Sequence, residues 1–258
     1  MKQELHFTIN QKGGCGKTHL AWSHLLRALH HGISCTAIDT DPSNSSLADY
    51  AGLPVKTIEI MDESGLEIQP EKWDKLIYHL LDDVTEHLTV VDLGATAFQS
   101  FVSYCINSQI MPLLQEKFNI YLNIPVVGGE ALNDTLNGME YLVDLFGDNT
   151  KIVVWANEFF GKLTDEHGNS FEQTEAYQAV KEKLYGVIYL RKSSQLHDLA
   201  IAKMKTAKLT YEEVKENKSK NFQLLEMMRI KQVLDNTFQM MDAVFEIPNQ
   251  KQTKEKSK

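Results

Sequence analysis

Eight residues near the amino end, Gln11-Lys12-Gly13-Gly14-Cys15-Gly16-Lys17-Thr18, combine three glycines, two lysines and a hydroxyl. Glycine reaches backbone conformations closed to other residues, so such a loop can curl its N–H groups around an anion. Lys17 is placed to meet the outer phosphates of a nucleotide, and the Thr18 hydroxyl to ligate Mg²⁺. His19 continues the chain into the helix start that should follow. Gly13, Gly14, Cys15, Gly16, Lys17, Thr18 and His19 are thus the candidate nucleotide-binding positions. The strict pattern GxxxxGKS/T fails at its first position, where Gln11 stands in place of glycine.

Acidic residues fall where such a site would need them. Ile38-Asp39-Thr40-Asp41-Pro42 and Val90-Val91-Asp92-Leu93-Gly94 each end an apolar run in aspartate. Ligands of parallel α/β sheets sit beyond the carboxyl ends of the strands, so these carboxylates would hold Mg²⁺ there, directly or through water. The alternative is that each merely caps the helix that follows. Val153-Val154-Trp155-Ala156-Asn157 ends a later strand in an amide, which serves either a base or a turn cap.

The elements that must position these residues alternate. A strand over 5–9 feeds the loop, and a helix over 18–31 follows, with Leu20, Ala21, Leu25, Leu26 and Leu29 at helical spacing and Gly32 to end it. Further strands are predicted over 34–38, 55–60, 88–93, 120–127, 152–156 and 187–190. Helices are predicted over 71–83 (Trp73, Leu76, Ile77 and Leu80 on one side), 98–114, 130–146, 172–184, 194–205 and 222–245, and a polar surface loop over 161–170. This alternation implies right-handed crossovers and a mostly parallel, twisted sheet flanked by helices on both faces. The expected architecture is a single α/β P-loop NTPase domain over 1–248, followed by a disordered lysine-rich tail over 249–258.

Bulk properties narrow the function. The 258 residues suffice for one large core, and a net charge of −9 argues against a protein built mainly to wrap nucleic acid. No apolar run approaches the ~18 residues that span a bilayer, and charges stand where a signal peptide needs apolar residues, so a cytoplasmic location is expected. Cys15, Cys35 and Cys105 lack metal or disulfide spacing. Cys15 alone, between two lysines, is a thiol whose pKa those charges would lower.

Lys12-Gly13-Gly14-Cys15-Gly16-Lys17-Thr18 resembles the deviant Walker A loop of the ParA/MinD family of ATPases, in which a polar residue before the first lysine is common. The resemblance implies ATP and Mg²⁺ as cofactors, and a homodimer formed on ATP binding in which Lys12 crosses to the partner's nucleotide. From the residues alone, Lys12 could equally be an exposed loop lysine serving its own phosphate. The family likeness further implies that Asp39 assists Mg²⁺, Asp41 positions the attacking water, and Asp92 is the Walker B carboxylate. Gly94 would belong to a movable switch that senses the γ-phosphate, and Asn157 would meet the adenine. Many partition ATPases carry DxPP where this chain has Asp92-Leu93-Gly94-Ala95.

Asp39-Thr40-Asp41-Pro42-Ser43-Asn44, Asp92 to Ala95 with Thr96 and Phe98, and Gly128-Gly129 followed by Asp134-Thr135-Leu136-Asn137-Gly138 resemble the TraL group of plasmid conjugal-transfer proteins. That implies a slow switch ATPase acting with a protein cargo or activator of a conjugation system. The resemblance ends near residue 205. Two rival readings stand beside it. A partition-type ATPase would bind DNA non-specifically through Arg191, Lys192, Lys203, Lys205 and Lys208, and a nucleotide-dependent adaptor would hydrolyse little. Membrane cycling would need a C-terminal amphipathic helix, but Leu224, Leu225, Met228, Val233, Leu234, Phe238 and Met241 fit a core-covering helix, so no stable membrane anchoring is expected.

Overall fold

The computed structural model describes residues 2–40, 47–62, 68–216 and 220–248. Seven strands form one sheet: β1 (Gln3–Thr8), β2 (Cys35–Asp39), β3 (Val55–Thr57), β4 (Leu88–Asp92), β5 (Phe118–Val127), β6 (Lys151–Asn157) and β7 (Leu184–Leu190). Their order is β3-β2-β4-β1-β5-β6-β7, and every pairing is parallel. The helices are α1 (Lys17–His31), α2 (Pro70–Tyr78), α3 (Phe98–Asn107), α4 (Ile110–Gln115), α5 (Leu132–Phe146), α6 (Glu175–Val180), α7 (Gln195–Thr206), α8 (Tyr211–Lys215) and α9 (Leu224–Asp242).

Successive strand residues point to opposite faces, so the sheet feeds two cores. On one side Leu5, Phe7, Val91, Leu122 and Val154 pack with Trp73 of α2, Phe101 of α3, Leu114 of α4, Met139 of α5 and Val180 of α6. On the other, Val90, Tyr121, Val153 and Trp155 pack with Leu25 of α1, Met204 of α7, Val214 of α8 and Phe238 of α9.

β1 is buried on both faces but apolar on only one, because Glu4, His6 and Thr8 point toward α1. These polar groups are satisfied internally. The His6 ring stacks on Tyr121 with centroids 4.5 Å apart, and its Nδ1 accepts from Asn123 Nδ2 at 3.3 Å. Asn123 Oδ1 in turn accepts from His24 Nε2 of α1 at 3.1 Å and from Trp155 Nε1 at 3.0 Å. At the far end of α1 the buried Arg27 donates to Asp242 at 2.6 Å and to the Phe245 carbonyl at 2.9 Å, which ties α1 to the end of α9.

Several boundaries differ from the expected ones for local reasons. The helix expected over 98–114 is two helices, α3 and α4. Gln109 takes a left-handed φ of 50° between them, and a proline ring at 112 would clash with the carbonyl four residues back in an unbroken helix. The strand expected over 55–60 keeps only Val55–Thr57, because β2 ends at Asp39 and offers nothing further to pair with. The helix expected over 172–184 shrinks to α6 between two 3-10 turns, with Thr174 capping it by accepting from the Tyr177 N–H. α8 was not foreseen. On α9, Leu234, Phe238 and Met241 are buried as expected, whereas Leu224, Leu225 and Met228 are exposed and do not cover the core. The tail over 249–258 lies outside the described residues. No helix among the described residues is long and apolar enough to cross a membrane.

Burial holds the pKa of both His6 and His24 well below the usual imidazole value. The unfolded chain protonates these rings below about pH 6.5 and the native state does not. Their contribution is therefore complete above about pH 6.5 and is lost as pH falls below it. The urea midpoint should fall between about pH 7.5 and 5.5, and should fall less in His24→Gln. An unchanged pH slope in that variant would show that the ring is not what titrates.

Candidate functional site

β1 hands the chain to the loop through Ile9, whose N–H donates to the Asn123 carbonyl at 3.1 Å, and then through the buried Asn10. The Asn10 side chain accepts from the Lys12 N–H at 3.0 Å and donates to the Pro125 carbonyl at 3.0 Å and the Thr135 carbonyl at 3.4 Å. It thereby fixes the loop against the end of β5 and the first turns of α5. Gly138 makes room for it, since a Cβ there would stand 2.7 Å from Asn10 Oδ1.

Gly14 and Gly16 have φ of 71° and 103°, which other residues rarely adopt. Gly16 is the N-cap of α1, and among the described residues no side chain caps it. A loop of this shape on a helix N-terminus is an anion cradle. The buried Lys17 folds its ammonium back over the loop, donating to the Lys12 carbonyl at 2.9 Å. Thr18 lies beside it in the first turn of α1. Cys15 corrects the expectation of an acidic thiol: burial raises its pKa and outweighs the opposing charge of Lys17. Lys12, unlike Lys17, is partly exposed, and its ammonium pairs with Asp134 of α5 at 2.6 Å. That hydrogen bond and charge raise the Lys12 pKa.

Three strand ends bring the oxygens. Asp39 on β2 and Asp92 on β4 stand opposite each other in register, and Thr8 on β1 stands opposite Asp92 on its other side. Both aspartates are buried. Thr8 donates to Asp92 Oδ1 at 2.7 Å, and Thr40 donates to the Asp92 carbonyl at 2.9 Å. Asp92 is not a helix cap, because the cap positions of the elements that follow it are Gly94 and Ala97. Gly94 opens a 3-10 turn over Ala95–Ala97, and a Cβ on Gly13 would lie 3.8 Å from that of Ala95, so this segment borders the loop.

Asn157 at the end of β6 does two things. Its Oδ1 accepts from the Phe159 N–H at 3.0 Å, which caps a turn, while its amide nitrogen would lie 3.5 Å from a Cβ on Gly16. His19 accepts a hydrogen bond from Lys205 of α7 at 2.9 Å, and burial together with that cation lowers its pKa to about 3. Asp41 lies outside the described residues. Of the basic residues considered for DNA, Lys203 pairs with Glu226 at 2.8 Å and Lys208 with Asp49 at 3.3 Å.

Sequence reasoning missed Thr8, Asn10, Thr40 and the ties of Asp134 and Lys205. Thr40 and Asp134 stood inside motifs and Asn10 beside the loop, but no side chain's direction is written in a motif.

A phosphate-type loop after the central strand of a parallel sheet, with aspartates on two neighbouring strand ends, gives the chain the fold of the ParA/MinD-like P-loop proteins. Among solved structures, the ParA family ATPase of Chlorobium tepidum TLS matches with a TM-score of 0.53 and 12% identity over 95% of this chain and 98% of that one. The MinD cell division protein of Aquifex aeolicus matches with a TM-score of 0.52 and 17% identity, over the same shares of each chain. At such identities the likeness is one of fold. No family model matches the sequence. Protein TraL of Escherichia coli is 30% identical over 242 residues, spanning 93% of this chain and 98% of TraL. The chain belongs to the TraL family.

Gly138→Ala should push the Asn10 amide aside and cost about 1–3 kcal/mol of stability. Urea unfolding would read that loss, and the affinity for an ATP analogue should fall several-fold as the loop loosens. An unchanged midpoint and affinity would mean that α5 yields instead.

Proposed function

We propose that the chain binds ATP with Mg²⁺ at this loop, hydrolyses it slowly, and works as a dimeric switch in plasmid conjugative transfer. The observation that carries this reading is the left-handed pair Gly14 and Gly16 opening onto uncapped α1, beside the Thr8–Asp92–Asp39 row. The hydroxyl of Thr18 and the carboxylates of Asp39 and Asp92 are hard oxygen donors, the type that suits Mg²⁺ with part of its water shell retained. Lys17 would exchange the Lys12 carbonyl for the outer phosphates. Bound Mg²⁺ would neutralise charge that builds between the β- and γ-phosphates. Asp41 is assigned to the attacking water, Asn157 to the adenine, and Gly94 to a segment that feels the γ-phosphate through its contact with Gly13.

Lys12 is assigned to the nucleotide of a second copy of the chain. Within one subunit it is held by Asp134, and both side chains are about half exposed. To act across an interface it must leave that partner for a phosphate whose charge grows in the transition state. Loss of the γ-phosphate would remove that attraction and loosen the pair. The cargo or activator is a protein of a conjugation system, as the TraL resemblance implies. The partition reading loses support because Lys203 and Lys208 are engaged with carboxylates rather than offered to phosphate.

Lys17→Ala should abolish nucleotide binding, whereas Lys12→Ala should bind ATP normally and hydrolyse it about tenfold more slowly or worse. Phosphate release and titration with a fluorescent ATP analogue separate the two. A Lys12→Ala protein with wild-type turnover would sink the in-trans role.

A further inference from the structure

Lys205, near the end of α7, has no acidic partner among the described residues. Its neighbours each have one: Lys203 has Glu226, Lys208 has Asp49 and Lys215 has Glu212. Lys205 makes no ion pair among the described residues. Its ammonium donates to His19 Nδ1 at 2.9 Å and lies 4.8 Å from the centre of the Trp22 ring. Both partners belong to α1. His19 follows Lys17 and Thr18 directly, and Trp22 is one turn on.

This placement is electrostatically uphill. The N-terminal turn of a helix carries a partial positive charge of its own, so a cation is disfavoured there. Burial also strips water from the amine and lowers its pKa to about 8. A neutral imidazole and an indole face compensate only in part. Tertiary packing holds the arrangement in place: Met204 is buried in the α1-side core, and the Tyr50 hydroxyl donates to the Lys205 carbonyl at 3.4 Å. An ammonium has three hydrogens, and after His19 and the Trp22 face one remains to give. What would relieve this site is an anion at the same end of α1.

We infer that Lys205, positioned by His19, is a further nucleotide-binding residue that meets the phosphate nearest the nucleoside. The inference rests on the nucleotide reading of the loop. Lys17 and Thr18 are taken up by the outer phosphates and Mg²⁺, which leaves the inner phosphate as the anion for a cation held on His19, the next residue of α1. The contact would make α7, which carries no phosphate motif, part of the site.

Calorimetric titration with ATP and ADP, with Mg²⁺ and with EDTA, tests this. Lys205→Gln should weaken both nucleotides by about tenfold and to the same extent, since both carry the inner phosphate, and the loss should persist without Mg²⁺. Lys205→Arg should stay within about threefold of wild type, because it keeps the charge. The ligand-free melting temperature of Lys205→Gln should remain near that of wild type. Unchanged binding, or a loss confined to ATP, overturns the role. If Lys205→Gln does not fold, Lys205→Arg decides alone, and a loss beyond threefold overturns it. A wild-type chain that binds neither nucleotide overturns the nucleotide reading itself, whereas normal wild-type binding with an unaffected Lys205→Gln removes only the role of Lys205.

Discussion

Covering β1 with helices on both sides strips water from every one of its side chains after Gln3, and those facing α1 are polar. Glu4, His6 and Thr8, with Asn10 just beyond, must then find partners inside the protein, because a buried polar group left unpaired costs more than a typical hydrogen bond contributes. How they find them organises the molecule. Glu4 turns to His6 and His6 to Asn123, which also takes His24 and Trp155 and so sets α1 on the sheet in one position. The upper ones turn to the site: Thr8 orients Asp92 and Asn10 holds the loop. The alternation that builds the core thus also fixes the geometry of the chemistry.

The last third of the chain depends on the same helix. α7, α8 and α9 cover the outer side of α1, and the Arg27–Asp242 pair locks the end of α9 to it. Close fits recur along this layer. A Cβ on Gly186 would meet Val244 at 2.8 Å, and one on Gly52 would meet Glu213 at 2.7 Å, so neither position has room for a side chain. Asp49 and Tyr50, shortly before β3, are docked on the α7–α8 junction. Changes at the nucleotide loop and at this segment would therefore both be felt by α7.

Much of the fold was legible because its signals are local. The glycines at 14 and 16 permit the left-handed backbone that the loop adopts, and Gly32 ends α1 with a φ of 66° for the same reason. Trp73, Leu76, Ile77 and Leu80 share a helix face by spacing alone, and all four are buried. The break before α4 was legible in principle from its proline, but periodicity on both sides of it masked the signal. The exposed Leu224, Leu225 and Met228 could not be told from core residues, since hydrophobicity says only that a side chain can be buried.

The sequence by itself determined the alternation of strands and helices, the conformation of the phosphate loop and the aspartates that end two strands, because each depends on residues a few positions apart. Only the tertiary structure decided that β4 lies between β1 and β2, and hence that Asp39, Asp92 and Thr8 share one row. It also decided that Lys12 meets Asp134, that Lys205 meets His19 and that burial overrides the charges around Cys15. Those outcomes depend on contacts between residues far apart in the chain and on the loss of water between them, which no local pattern records.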